Sequence, residues 1–195
     1  MFSGNAFTLI LKLERFWELV RENLPMKTFS ENVESDIDVH EPKDTKNNIE
    51  ISFDMELQLF GINHKTTKLS ERELFIINDS NQEDFKNFFQ GAFGDSIDSF
   101  FALSTCNRTE VYIYGSLSDA TNIAQQTLEF FGSGDSLNDD LYFFSGDEAI
   151  EHMCNVASGL DSQVLGEQEI LGQFKKSIQT YITFGSLKGE LQRLS

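Results

Sequence analysis

Residues 100–114 read Phe100-Phe101-Ala102-Leu103-Ser104-Thr105-Cys106-Asn107-Arg108-Thr109-Glu110-Val111-Tyr112-Ile113-Tyr114. Two apolar segments, Phe100 to Leu103 and Val111 to Tyr114, read as strands. Cys106 stands between them, at the mouth of a sheet, flanked by Thr105, Asn107 and Arg108. A structural cysteine normally has apolar neighbours, and that setting suppresses its reactivity. Arg108 is able to stabilise a thiolate or to hold a substrate carboxylate through its planar fork. Its plainer use is a surface ion pair with Glu110, two residues along the strand. From this segment alone, a nucleophile and a polar-flanked structural thiol are both open readings.

Outward from that run the pattern alternates strands and helices. Glu56 to Ile62 reads as a short strand, with Leu57, Leu59 and Gly61 alternating against Gln58 and Phe60. Ser70 to Ile77 begins a helix with the cap signature Ser70-Glu71-Arg72-Glu73. Gln82 to Phe93 and Asp119 to Phe131 are further helices, the second broken by Gly132-Ser133-Gly134-Asp135. Leu141 to Phe144 makes a fourth strand, and Ser145 to Ala157 a helix boxed by Ser145 and Glu148. A long last helix is expected from about Ser162 to Phe184, with Val164, Leu171, Phe174, Ile178 and Ile182 on one face. Four short strands interleaved with helices imply an open α+β sandwich.

Residues 6–23 suggest an amphipathic helix, and Pro25 to about Asn48 reads as a linker rich in Asp, Glu, Lys, Asn and Ser. Residues 1–54 are therefore read as an N-terminal extension, 55–160 as the main domain and 161–195 as a pocket-lining and connecting helix. Met55 as the native start is the plain account of the extension, and a functional tail is the sharper one.

The chain has 195 residues, 39% hydrophobic, with 19 phenylalanines, enough to bury a sizeable core. Two cysteines are too few for a disulfide scaffold and suit a reducing cytoplasm. No run approaches the ~18 apolar residues of a membrane span. Glu14, Glu18 and Glu22 argue against a secretory or transit peptide. The net charge is −17, which opposes contact with a phosphate backbone. It is uneven: residues 1–54 hold eleven acids and six bases, whereas 175–195 hold Lys175, Lys176, Lys188 and Arg193 against Glu190. The acidity is read as a solubility feature, leaving any RNA contact to local bases or to parts outside this chain.

Three blocks carry a resemblance. They are Gly61-Ile62-Asn63-His64-Lys65-Thr66-Thr67, the Thr105-Cys106-Asn107-Arg108 run, and residues 152–173, which contain Gly159-Leu160-Asp161-Ser162 and Gly166-Glu167-Gln168-Glu169. In this order and spacing the chain, from about Met55 to Leu194, resembles the glutamyl-tRNA reductases. The resemblance implies a ferredoxin-like catalytic domain followed by a connecting helix. It also implies NADPH-dependent reduction of glutamyl-tRNA to glutamate-1-semialdehyde, the entry to tetrapyrrole (porphyrin, haem) synthesis.

By that resemblance Cys106 is the nucleophile, forming a glutamyl thioester and releasing the ribose hydroxyl. A thioester accepts hydride better than an oxygen ester, which explains Cys rather than Ser. His152 falls at the edge of the apolar stripe Ile150, Met153, Cys154 and Ala157. Periodicity alone makes it a boundary histidine bonded to a backbone carbonyl. The resemblance makes it functional, either in proton transfer to the departing hydroxyl or in support of the thiolate. Thr105, Asn107, Arg108, Ser162, Glu167, Gln168, Glu169 and Gln173 line the glutamyl pocket in the family. Glu167 and Gln168 interrupt the apolar face of the last helix, so they need partners or a solvated edge. His64 reads as a loop residue. Cys154 and His152 have no companion ligands, so no metal is expected.

No Gly-x-Gly-x-x-Gly stands between a strand and a helix. The family's NADPH domain and dimerising helices would follow the point where this chain stops. Dimerisation is then a property of full-length relatives, and the aminomutase that takes up the semialdehyde is a candidate partner. The expected behaviour is thioester formation without reduction, hence slow glutamyl-tRNA esterase activity. A tRNA-binding or regulatory relative without chemistry is the alternative.

Overall fold

The computed structural model describes residues 55–116, 120–133, 137–163 and 169–194. The elements run β1 (Glu56–Asn63), α1 (Leu69–Arg72), α2 (Gln82–Phe93), β2 (Ile97–Ser104), β3 (Arg108–Gly115), α3 (Ala120–Phe130), β4 (Tyr142–Ser145), α4 (Gly146–Ala157), α5 (Glu169–Thr183) and α6 (Gly189–Leu194). The strands form one sheet in the order β2-β3-β1-β4, and every neighbouring pair is antiparallel. This is the βαββαβ, ferredoxin-like arrangement of an α+β domain.

Alternation along the strands divides the sheet into two faces. Phe100 meets Phe85 and Phe89 of α2, and Phe85 meets Phe130 and Phe131 at the end of α3. The other face carries Phe101 and Tyr112, stacked at 4.6 Å, with Phe174 of α5 against both. His152 of α4 lies over Phe144 of β4 on that same face. Both faces are thus covered. That is why β3 is buried at every position and why Gln58, expected on an outward face of β1, is buried too.

The outer edge of β2 is closed by the end of α5 and the turn after it. The Phe100 amide donates to the Ser186 carbonyl (2.9 Å), the Lys188 amide to Ser99 Oγ (3.0 Å), and Ser177 Oγ to the Ala102 carbonyl.

Several local expectations change. α1 is one turn, Leu69–Arg72, preceded by Lys68 with no side-chain cap, so the Ser70 box does not form. Phe75 is fully buried, and the chain dives toward the core there instead of continuing as a helix. Ser145 does precede α4 in extended conformation, but its side chain makes no cap bond. Ser162 lies in a bend, not at a helix start, and the last helix is described from Glu169. Its buried stripe is Ile170, Phe174, Ile178 and Tyr181, with Leu171 exposed, because that register places two aromatic rings on the sheet and its edge. Val164, Glu167 and Gln168 fall outside the described residues.

Candidate active site

Thr105, Cys106 and Asn107 form the connection between β2 and β3. Thr105 builds the turn: its amide donates to the Arg108 carbonyl (2.8 Å), and its Oγ1 accepts from the amides of Asn107 (3.1 Å) and Arg108 (3.2 Å). Cys106 is left exposed at the apex. The loop after β1 buttresses the turn, with the His64 amide donating to the Asn107 carbonyl (2.8 Å). Arg72 donates to the Thr67 carbonyl (2.9 Å) and reaches the Cys106 carbonyl at 3.5 Å.

Directly beneath the turn lies a charged cluster, where the sequence left Arg108 open between a substrate carboxylate and a surface pair with Glu110. Arg108 is 2% exposed and Glu110 is 0% exposed. One Glu110 oxygen accepts from Arg108 Nη1 (2.8 Å), Tyr142 Oη (2.6 Å) and His152 Nε2 (2.8 Å); the other accepts from Tyr112 Oη (2.5 Å). Arg108 Nη2 bonds the main-chain carbonyl of Asp161 and its carboxylate (2.9 Å), and Lys65 pairs with that same carboxylate. The expected pair between Arg108 and Glu110 therefore exists, but it is buried and extended into a network. A carboxylate sealed from water survives only when its lone pairs are met, and here they are.

Burial pushes the Glu110 carboxyl up, yet the His152 hydrogen bond and the Arg108 charge outweigh it and hold the group at about 2. Glu110 is thus ionised and can only accept, so Nε2 of His152 carries a proton. In the neutral ring that leaves Nδ1 as the open acceptor. The backbone carbonyl expected as the histidine's partner is replaced by a side-chain carboxylate. Burial also raises the Tyr112 and Tyr142 phenols well above their ordinary value, reinforced by the Glu110 charge, so both remain donors.

Gly61 makes this geometry possible. It pairs with Glu110 on one side and Tyr142 on the other. A Cβ there would stand 2.6 Å from the Thr109 carbonyl oxygen and 2.8 Å from Glu110 Cγ. The bare backbone lets the Glu110 side chain cross β1 to reach β4 and α4.

Of the residues expected at the site, Thr105, Cys106, Asn107 and Arg108 share one turn, and His152 joins them through Glu110. Ser162 follows Asp161, which Arg108 and Lys65 hold. Gln173 borders a cleft of about 520 Å³ that Ser104 and Leu103 also line. Glu169 opens α5 exposed to solvent, with no bond to the cluster. Cys106 and His152 make no direct bond. Cys154 is buried, and burial pushes its thiol up to about 11. Asp161, Tyr142 and Gly61 were not anticipated as site residues, and Glu110 only as an ion-pair partner of Arg108. The signal for Glu110 was present, since residues 108, 110 and 112 share one strand face. Among the described residues no group of three or more His, Cys, Asp or Glu could hold a metal ion, and no helix is long and apolar enough to cross a membrane.

A ferredoxin-like sheet with an exposed thiol on one turn and a carboxylate-held histidine below it sets the chain among the α+β domains. The model of the glutamyl-tRNA(Glu) reductase N-terminal domain matches residues 60–195. Among solved structures, glutamyl-tRNA reductase from Methanopyrus kandleri is similar, with 32% identity and a TM-score of 0.55 over 68% of this chain and 29% of that one. The chain belongs to the glutamyl-tRNA reductase family, as its N-terminal domain. It spans less than a third of the solved relative's length.

Proposed function

We propose that this chain binds glutamyl-tRNA and that Cys106 takes the glutamyl group from it as a thioester. The observation that carries this reading is the pairing of an exposed thiol on a rigid turn with an underlying buried carboxylate that fixes one tautomer of His152. The thiolate attacks the ester carbonyl, a carbon–sulfur bond forms, and the carbon–oxygen bond to ribose breaks. In this reading Nδ1 of His152 takes the thiol proton and returns it to the departing ribose oxygen. Glu110 orients the imidazole without itself becoming protonated. Ser162, Glu167, Gln168, Glu169 and Gln173 complete the glutamyl pocket in this reading, with Thr105 and Asn107 shaping the turn. Arg108 acts from beneath, because both of its terminal nitrogens already serve Glu110 and Asp161.

NADPH supplies the hydride in the family's overall reaction, which would place this chain at the entry to tetrapyrrole synthesis in the cytoplasm. The described residues do not fit that cofactor. Their sheet is antiparallel throughout, and β4 enters α4 through a single glycine, Gly146, without the further glycines of a dinucleotide turn. No reductive step is assigned to them.

Incubation with glutamyl-tRNA followed by intact-mass measurement is the test. One glutamyl group should appear on Cys106, and release of free glutamate should follow slowly. Cys106→Ser should abolish both. Release at the wild-type rate in Cys106→Ser would refute the nucleophile, and RNA binding without acylation would make the chain a binding module.

A further inference from the structure

Arg72 is a guanidinium without a carboxylate partner among the described residues, although the chain is strongly acidic. Its two bonds go to main-chain carbonyls, those of Thr67 and of Cys106 itself, and its buried Nε has no acceptor. Beside it, His64 Nδ1 is also buried without a partner. Lys65 and Lys68 are exposed in the same loop. His64 registers the resulting field: burial first, then the charges of Arg108, Lys65 and Arg72, lower its proton affinity, and Asp161 offsets them only in part. Arg72 and Lys68 thus stand beside the nucleophile's turn, with Lys65 held by Asp161 and the acids Glu71 and Glu73 in the same stretch.

Asp161, which Arg108 and Lys65 hold, opens the pocket segment. That segment and the Arg72 loop suit the two ends of one substrate. A glutamyl group enters a pocket, whereas the RNA that carries it must leave along solvent-exposed cations. In an aminoacyl ester of RNA the reacting carbonyl and the phosphodiester of the terminal nucleotide lie across a single ribose. A guanidinium at the Cys106 carbonyl is within that span of the thiol.

Resting on the glutamyl-tRNA reading, we infer that Arg72 is a phosphate-binding, positioning residue: it receives the phosphodiester of the terminal nucleotide and so presents the ester carbonyl to Cys106. Lys68, exposed in the same loop, extends the track to the next phosphate. Arg72 is half-buried where Arg108 is sealed, and each of its terminal nitrogens keeps a second N–H beyond its carbonyl bond to meet a phosphate oxygen.

The probe is an uncharged RNA hairpin with a single-stranded CCA end, its binding to the full chain read by anisotropy across a salt series. Arg72→Gln should weaken binding about tenfold or more and reduce the slope of log K against log salt by about 0.7. Arg72→Lys should restore the slope. The decisive arm needs no variant: a hairpin with an uncharged methylphosphonate at the terminal linkage should bind wild type as weakly as Arg72→Gln binds the natural RNA. Arg72→Gln should then show no further loss on the methylphosphonate probe. Wild type that binds both hairpins equally would overturn the assignment while leaving the glutamyl-tRNA reading intact. So would a loss in Arg72→Gln that is the same on both probes. Wild type that binds neither RNA would overturn both.

Discussion

The two faces of the sheet solve the same problem of burial by opposite means. Between the sheet and α2 and α3, Phe85, Phe89 and Phe100 contact one another ring to ring, and Phe130 and Phe131 close the layer, with no charge among them. On the other face, four donors converge on the Glu110 carboxylate under α4. The first face tolerates many shapes of hydrocarbon and fixes stability. The second tolerates one set of donors and fixes direction, since each bond sets where a neighbour points. The Cys106 turn sits above the second.

Removing the centre of either face should cost about the same and yet read differently. Phe85→Ala should lose about 3–5 kcal/mol through the cavity it leaves, with Cys106 alkylation and acyl transfer unchanged at a temperature where the variant is folded. Glu110→Ala should lose about 3–5 kcal/mol because Arg108 loses its buried partner and keeps only the less buried Asp161, and acyl transfer should fall with it. Urea titration measures the first quantity and the acylation rate the second. If Arg108→Met with Glu110→Leu regains stability without regaining acylation, direction and stability separate as described.

Acid should sharpen the contrast. Glu110 sits at about 2 in the folded chain against an ordinary 4.5. A depressed carboxylate stabilises fully above the unfolded value, and its contribution fades as pH falls through the folded one. Wild type should therefore lose stability between about 4.5 and 2 more steeply than Glu110→Gln. Phe85→Ala should keep the wild-type slope, as denaturant midpoints across that range would show.

Gly61→Ala should cost about 1–3 kcal/mol by overpacking, and it should lower acylation more than its stability loss implies, because Glu110 is pushed off Tyr142. The smallest effect is expected at Lys176→Ala. Its pair with Asp79 is exposed at 3.3 Å, so thermal denaturation should shift by less than about 0.5 kcal/mol in equivalent free energy.

Much of this was legible in order of strand and helix: the run from Phe100 to Tyr114 announced both strands and the residue between them, and α2 spans the residues its periodicity assigned. What periodicity does not report is whether a second layer covers a strand. Arg108 and Glu110 look like a solvent-facing pair until α4 and the chain at Asp161 close over them. Ser70 and Glu73 satisfy a cap pattern, but Phe75 draws the chain inward before a second turn can form. Leu171 satisfies the apolar stripe, yet Ile170 and Tyr181 bury more against the sheet. In each case tertiary burial overrules a local signal.

The closure of the β2 edge by residues 177–188 has a consequence for behaviour at high concentration. A strand from another molecule that tries to zip onto β2 meets hydrogen-bonding groups already engaged at Ser99, Phe100 and Ala102. Growth of the sheet from one copy into the next along that side is thereby discouraged, and loosening the turn at Ser186 would turn a quiet boundary into a sticky one.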